Sequence, residues 1–595
     1  MTPCVTRRRL LIAALTALAG AFAVAVLLGS GARPAPGGHP ERLEPPPAPF
    51  RGRHWIVHLP AELARVHPPA AWAEAADRRL EGMAARLGLA LPAEPLQQFL
   101  YASVEAKEAA AGDDGPFTAE PAQRAVHVLV TPEGEIPDPR GEALLLLRLA
   151  WGEPGADGGE RAVSRCAAGE FHGFPLAGYA ARIAREEEPY PLRDVLRMTA
   201  DDGAALSPLV TDALAGAWAE GLRESRGAAV LRQLWSAPFS PGNEEELARA
   251  LGAASWSEIE AAWQRWLAAR PALPPDPPRP RRLAFLRGIS FSHEMRGEGY
   301  GSDRGDEQLA RMKALGANAV AIVPYAFTRA PEQPVVRYRG TDESDERLAR
   351  TFSAARRLGL STLLKPQLWD PGHFTGDVVL ASDADFARWF AGYRRYLLHQ
   401  ARLAALERAD LLVIGTELGG LTRRQEAWRG LIRDVRRVYP GPLTYAANWA
   451  EDFEALPFWD ALDLLGLNMY YPLAAPGETP SAGSPRVRAL RDKLAVQSRR
   501  WGKPVLFTEV GYAASAAAAA EPWKERNAAP DPEMQARCYR VVFEAFYREP
   551  WLAGMFWWKW PSHGRGRADD ESFNPLGKPA LQVLATFYGP GRRRN

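Results

Sequence analysis

The chain has 595 residues, 47% of them hydrophobic and 24% charged, with a formal net charge of +2. Those proportions fit two folded domains with a sizeable core and argue against an unfolded or membrane-embedded chain. The near-neutral balance excludes the basic surface that neutralises phosphates, so no nucleic-acid partner is expected.

Residues 1–32 open with Arg7, Arg8 and Arg9, then run apolar and uncharged from Leu10 to Leu28. Charge, apolar run and small residues in that order read as a signal peptide or a membrane anchor, the run being near the minimum for a bilayer span. TRRRLL also resembles a twin-arginine signal. The expectation is an exported protein: secreted, periplasmic or tethered to the outer face of the cytoplasmic membrane. Residues 33–52 are proline-rich and read as an extended tether.

Residues 53–268 predict a mainly helical α+β domain. His54–Leu59 and Val126–Thr131 are strand-like, and apolar spacing predicts helices near Ala71–Leu89, over Ala213–Leu234 and over Trp256–Leu267. The order, and the closing phrase EIEAAWQRWL, resemble exported zinc peptidases of the gluzincin type. Such enzymes need H-E-x-x-H on a helix. That motif is missing from the chain, and the corresponding helix reads GEALLLLRLAWG over Gly141–Gly152, without histidine. The domain is therefore read as non-catalytic. Glu170 and His172 each stand next to a glycine and read as structural residues, so no metal and no cofactor is expected. Cys4, Cys166 and Cys538 fall in separate segments, which argues against a disulfide framework.

A second proline run, residues 269–282, reads as a linker. From 283 to 590 the pattern becomes regular. Strand-like runs occur at Phe285–His293, Ala317–Pro324, Ser361–Leu368, Leu411–Leu418, Leu443–Trp449, Leu462–Tyr471, Pro504–Tyr512 and Gly554–Trp560. Amphipathic helices separate most of them, and Ser382 is placed to cap the third. Strand–helix repeats of this number predict an α/β fold, a closed (β/α)8 TIM barrel.

In such a barrel, active-site residues gather at the C-terminal strand ends. Here those ends carry His293 and Glu294, Lys365, Gln367 and Trp369, Asn448 and Trp449, Asn468, Tyr470 and Tyr471, and Trp557 to Trp560. Two runs, LLVIGTELGG and PVLFTEVGY, each end in one glutamate with a glycine two residues on, Glu417 and Glu509. A carboxylate at the tip of a buried strand is costly unless used or paired. Two of them suggest the carboxylate pair of glycoside hydrolysis.

The phrases RGISF, KPQLWD, VIGTELGG, NMYYPL, LFTEVGY, FWWKW and NPLGKPA resemble glycoside hydrolase family 113, known for β-1,4-mannanase activity, within the clan of retaining (β/α)8 glycosidases. The resemblance covers the second domain only. It implies an acid/base glutamate after strand four, Glu417, and a nucleophile after strand seven, Glu509. It also implies double displacement on a β-linked polysaccharide or oligosaccharide, with no metal. Many clan members carry asparagine just before the acid/base; here that residue is Thr416, which leaves the contact to the sugar 2-hydroxyl open. The expected substrate contacts are His293, Lys365, Trp369, Thr416 and Asn448. Tyr470 or Tyr471 is expected on the nucleophile, and Trp558 or Trp560 as a floor under the sugar. A structural reading stands beside each: the glutamates as rim ion pairs, Lys365 and His293 as salt-bridge or core partners, the tryptophans as barrel closure. A non-catalytic carbohydrate-binding or cell-surface scaffold barrel is the alternative function.

Overall fold

The computed structural model describes residues 48–589, apart from 67, 131–137, 201–204, 241, 280–282, 296, 331–332, 339–342, 372 and 526–527. The apolar leader, Cys4 and most of the tether lie outside the described residues. Among the described residues no helix is long and apolar enough to cross a membrane. The chain divides into two units, one ending at Asp276 and one beginning at Pro277.

The first unit is built on a five-stranded sheet. Its strands are β1 (Phe50–Arg51), β2 (Trp55–His58), β3 (Leu96–Tyr101), β4 (Phe117–Glu120) and β5 (Ala125–Leu129), in the order β1-β2-β3-β5-β4. The three central strands are parallel and both edges antiparallel. A two-residue hairpin, β6 (Glu170–Phe171) with β7 (Phe174–Pro175), lies apart. The expected helix over 213–234 is two helices, Pro208–Arg226 and Ala229–Ser236. The chain turns between them at Gly227, whose φ of 82° suits glycine. The helix Arg140–Trp151 buries Glu142 completely. Burial of that charge is offset by Arg79 at 2.7 Å and by the Gln98 amide at 2.6 Å.

The second unit is a closed parallel barrel. Its strands are β8 (Leu286–Ser292), β9 (Ala319–Ile322), β12 (Ser361–Leu364), β14 (Leu411–Thr416), β15 (Leu443–Ala447), β16 (Leu465–Met469), β17 (Val505–Val510) and β18 (Leu552–Pro561). Each pairs with its neighbour in sequence, and β18 pairs with β8 to close the ring. Seven of the expected runs each contain one of these strands, and the eighth, Gly554–Trp560, lies within β18. Leu286, Ala321, Leu363, Val413, Leu506 and Phe556 belong to the packed barrel core, each at most 3% exposed. Ser302, Ser344, Ser382, Ser484 and Asp531 cap the helices that follow, each side chain accepting a backbone N–H of the first turn. Such caps contribute about 1 kcal/mol each.

One element was not foreseen. Past the ends of β9 and β12 the chain forms a small sheet of β10 (Tyr325–Arg329), β11 (Gln333–Arg337) and β13 (Gln367–Trp369), with β10 in the middle. Thr328 on β10 is buried and accepts from the indole of Trp389, on the helix Asp383–Leu406. One face of this sheet is thereby seated on the barrel.

Candidate active site

Glu509 stands near the end of β17 and is 5% exposed. Three donors converge on its carboxylate. Lys365, just past β12 and completely buried, pairs with Oε1. The Gln367 amide donates to the same oxygen at 2.9 Å, and the Tyr470 hydroxyl donates to Oε2 at 2.7 Å. Burial, and then the negative charge of Glu509, hold the Tyr470 phenol well above its ordinary range, so it keeps its proton and donates. Three donors on one carboxyl is the pattern of an ionised, acceptor-only group.

Glu417 follows the last residue of β14 and has a φ of 52°, unusual for a residue with a side chain. Its N–H still donates to Ala446 O at 2.9 Å, and the next N–H donates to the Tyr445 hydroxyl at 2.7 Å. The surrounding strands thus hold a backbone turn that costs of order 1–3 kcal/mol, a feature concentrated at functional sites. Gly419, two residues on, leaves room for the Asp452 carboxylate, which a Cβ there would meet at 2.4 Å and push aside. The glycine after the other glutamate, Gly511, has a similar role: its Cβ would lie 2.8 Å from Trp558 O.

The Glu417 carboxyl accepts one hydrogen bond, from the Asn468 amide at 2.9 Å. Burial, and then the charge of Glu509, push it up to about 8; Asn468 and Lys365 oppose the rise. Asn468 is itself fixed, because its oxygen accepts from the Thr508 hydroxyl at 2.9 Å. One glutamate is therefore surrounded by donors and the other is kept protonated at neutral pH. That divergence is what separates an acid from a base in a carboxyl pair.

Lys365 was expected on a sugar hydroxyl. Its full burial against Glu509 makes it a partner of the carboxylate instead. Of the two tyrosines, only Tyr470 reaches Glu509. The Tyr471 hydroxyl accepts from Ala450 N at 2.8 Å and lies 3.5 Å from Glu454. Of the two tryptophans, Trp560 is 1% exposed and donates to Gln308 at 3.2 Å, so it closes the barrel wall. Trp558 is half-buried, with Lys365 Nζ 5.5 Å and Lys559 Nζ 5.8 Å from its ring centre.

The other expected contacts lie on the rim. Thr416 is buried and donates to Pro366 O at 3.4 Å. The Asn448 oxygen accepts from Trp449 N at 2.9 Å. His293 Nδ1 accepts from Tyr300 N at 3.1 Å, within its own loop. Trp369 ends β13 and is half-buried.

Several site residues were not assigned from sequence. Asn468 and Gln367 were visible as polar strand ends, but their partners are distant in the chain. Tyr325 begins β10, separated from the end of β9 by two residues, and is half-buried against the core cluster; its place just beyond a barrel strand was the available signal. Glu294 pairs with Lys559 at 2.8 Å and has His563 at 3.5 Å. Burial alone would push Glu294 up, but Lys559 and His563 outweigh it and hold the carboxyl at about 2.

Residues 289–578 match the model of Glycoside Hydrolase Family 113. Among solved structures, a GH113 β-1,4-mannanase is 25% identical over 52% of this chain and 100% of its own, with a TM-score of 0.47. The GH113 β-mannanase AaManA from Alicyclobacillus acidocaldarius is 28% identical over 52% of this chain and 98% of its own, with a TM-score of 0.46. A β-glucuronidase from Ruminococcus gnavus is 14% identical over 52% and 50%, with a TM-score of 0.35. No curated protein matches the chain. The barrel is a family 113-like (β/α)8 glycoside hydrolase segment.

Proposed function

We propose that the protein is an exported, retaining β-glycoside hydrolase acting on mannan-type polysaccharide. The observation that carries this reading is the contrast between Glu509, ringed by Lys365, Gln367 and Tyr470, and Glu417, pushed up to about 8 within the same barrel mouth. The match of the barrel to family 113 supports the reaction class, and the mannanase titles of similar structures support the substrate. The arginine-led apolar leader supports export.

In the first step Glu509 attacks the anomeric carbon while the Glu417 proton passes to the leaving oxygen. The glycosidic bond breaks, and an ester bond to Glu509 forms. In the second step Glu417, now a carboxylate, takes a proton from water. The water oxygen attacks the same carbon and releases Glu509, so two inversions give retention. Tyr470 and Gln367 hold the nucleophile in place, and Asn468 orients the acid. Trp558 provides the apolar surface under the sugar at the cleavage point.

The test is release of reducing ends from β-mannan, glucomannan, β-glucan and xylan by wild type, Glu417→Gln and Glu509→Gln. Activity on mannan that disappears in both variants is expected. Cleavage of another glycan alone would keep the mechanism and replace the substrate. Glycan binding without turnover would leave a binding barrel.

A further inference from the structure

The glutamate of LLVIGTELGG is closely followed by two glycines, and neither Gly419 nor Gly420 has a positive φ. Conformational freedom therefore does not explain glycine there; close approach does. Gly419 leaves room for Asp452. Gly420 faces a different segment: a Cβ there would overlap Val378 O and stand 3.1 Å from Gly376 O. Gly376, also without a positive φ, is tightly placed in return. Its Cβ would lie 2.9 Å from Glu417 O and would overlap the Phe374 ring. The short helical turns Thr375–Asp377 and Gly419–Leu421 thus interlock through their backbones.

Both turns are anchored in the barrel unit. The indole of Trp428, completely buried, donates to Leu421 O at 3.1 Å. Val378 is 3% exposed and Val379 beside it 71%, so Val378 is the buried end of its segment. The same connection opens with Lys365 and Gln367, the two donors to Glu509 Oε1. One stretch of chain, between β12 and the helix Asp383–Leu406, therefore meets the side chain of one glutamate and the backbone of the other.

The contact falls where it governs the carboxyl. The Glu417 N–H is held by Ala446 O, so a change in φ would swing the side chain and the carbonyl together about the N–Cα bond. A backbone that stops the carbonyl stops the carboxyl with it. A left-handed residue with a side chain persists only where its surroundings over-determine it. We infer that the segment 374–378, seated on Gly420, is a positioning element that holds the Glu417 carboxyl in place for proton transfer to the leaving oxygen. The inference rests on the glycosidase reading and deepens it: Gly376 and Gly420 are positioning residues that act through Glu417.

The test uses two substrates that differ in the leaving group. β-1,4-Mannohexaose needs a proton on the departing oxygen. A dinitrophenyl β-mannobioside does not, because dinitrophenolate is a stable anion. Gly420→Ala should lower kcat/KM on the hexaose about 10- to 100-fold, and on the dinitrophenyl glycoside by less than about threefold. The basic limb of the pH profile on the hexaose should move downward, as a displaced carboxyl regains water. Thermal melting confirms folding. Gly376→Ala serves if Gly420→Ala unfolds, and Val378→Ala, which removes the buried anchor without adding an atom, serves if both do. Equal losses on the two substrates, or no loss on either, in a folded variant would overturn the positioning role and leave the glycosidase reading standing. If wild type cleaves neither substrate, the glycosidase reading fails on its own. Crystal structures of wild type and the folded variant then decide the contact. A negative φ at Glu417 in the variant supports it, and an unchanged φ contradicts it.

Discussion

Asn468 donates its amide N–H to Glu417 at 2.9 Å, and this hydrogen bond opposes the rise of the Glu417 carboxyl toward about 8. The donor favours the charged form, so its loss favours the protonated one. In Asn468→Ala the basic limb of kcat/KM should move upward, and the maximum should fall about 10- to 100-fold as the acid loses its orientation. A pH profile from 5 to 10 measures both. A limb that moved downward would show that Asn468 does not act on Glu417 in this way.

In the wild type, the protonated acid is lost as pH rises through about 8. Stability should carry the same signature. The folded carboxyl lies above its ordinary value of 4.5, so between 4.5 and about 8 the folded state binds more protons than the unfolded state. Stability contributed by this group is therefore complete below 4.5 and declines as pH rises to about 8. Glu417→Gln removes the titration and should gain on wild type over that window, by the order of a few kcal/mol. Denaturant melts at pH 5 and pH 8 check this; a constant difference between the two chains would contradict it.

The paired tyrosines offer a direct contrast. Tyr470→Phe removes a donor from Glu509 and should lower kcat about 10- to 100-fold. Tyr471→Phe removes an acceptor from Ala450 N and should leave kcat within about threefold, with some loss of stability. Steady-state kinetics and melting of the two variants separate the roles. Equal effects on kcat would undo the distinction.

Much of the barrel was legible because each strand is a short apolar run bounded by turn residues, and the two glutamates stood out as charges at the tips of such runs. Other features depend on pairing across the ring. Lys365 and Glu509 are 144 positions apart, and nothing local joins them. Alternation would put Trp558 and Trp560, two residues apart on β18, on one side; the register with β8 shifts between Trp557 and Trp560, and no local signal marks that shift. In the first unit, the strand LQQFLY carries two glutamines among its apolar residues. Gln98 is nonetheless fully buried, since Glu142 on the helix Arg140–Trp151 accepts its amide. The sheet β10-β11-β13 was hidden for another reason: β13 is only three residues long and follows directly on a barrel strand.

Lys365 is the cation on Glu509, and the account gives it a positioning role through that carboxylate. Lys365→Met should slow trapping of the enzyme by a 2-fluoroglycoside about a hundredfold, in parallel with kcat. Lys365→Arg should recover part of the loss by restoring the charge. Trapping at the wild-type rate in Lys365→Met would remove Lys365 from the mechanism.

The assignment of the two glutamates is tested most directly by azide rescue on an activated aryl β-mannobioside. Glu509→Ala with azide should yield the α-glycosyl azide, because azide enters where the nucleophile stood and inverts the centre once. Glu417→Ala should yield the β-glycosyl azide, formed from the covalent intermediate on Glu509. Proton NMR of the two products reads the configurations. Reversed configurations would exchange the roles, and a Glu509→Ala variant that hydrolyses the substrate at the wild-type rate without azide would contradict the double-displacement account.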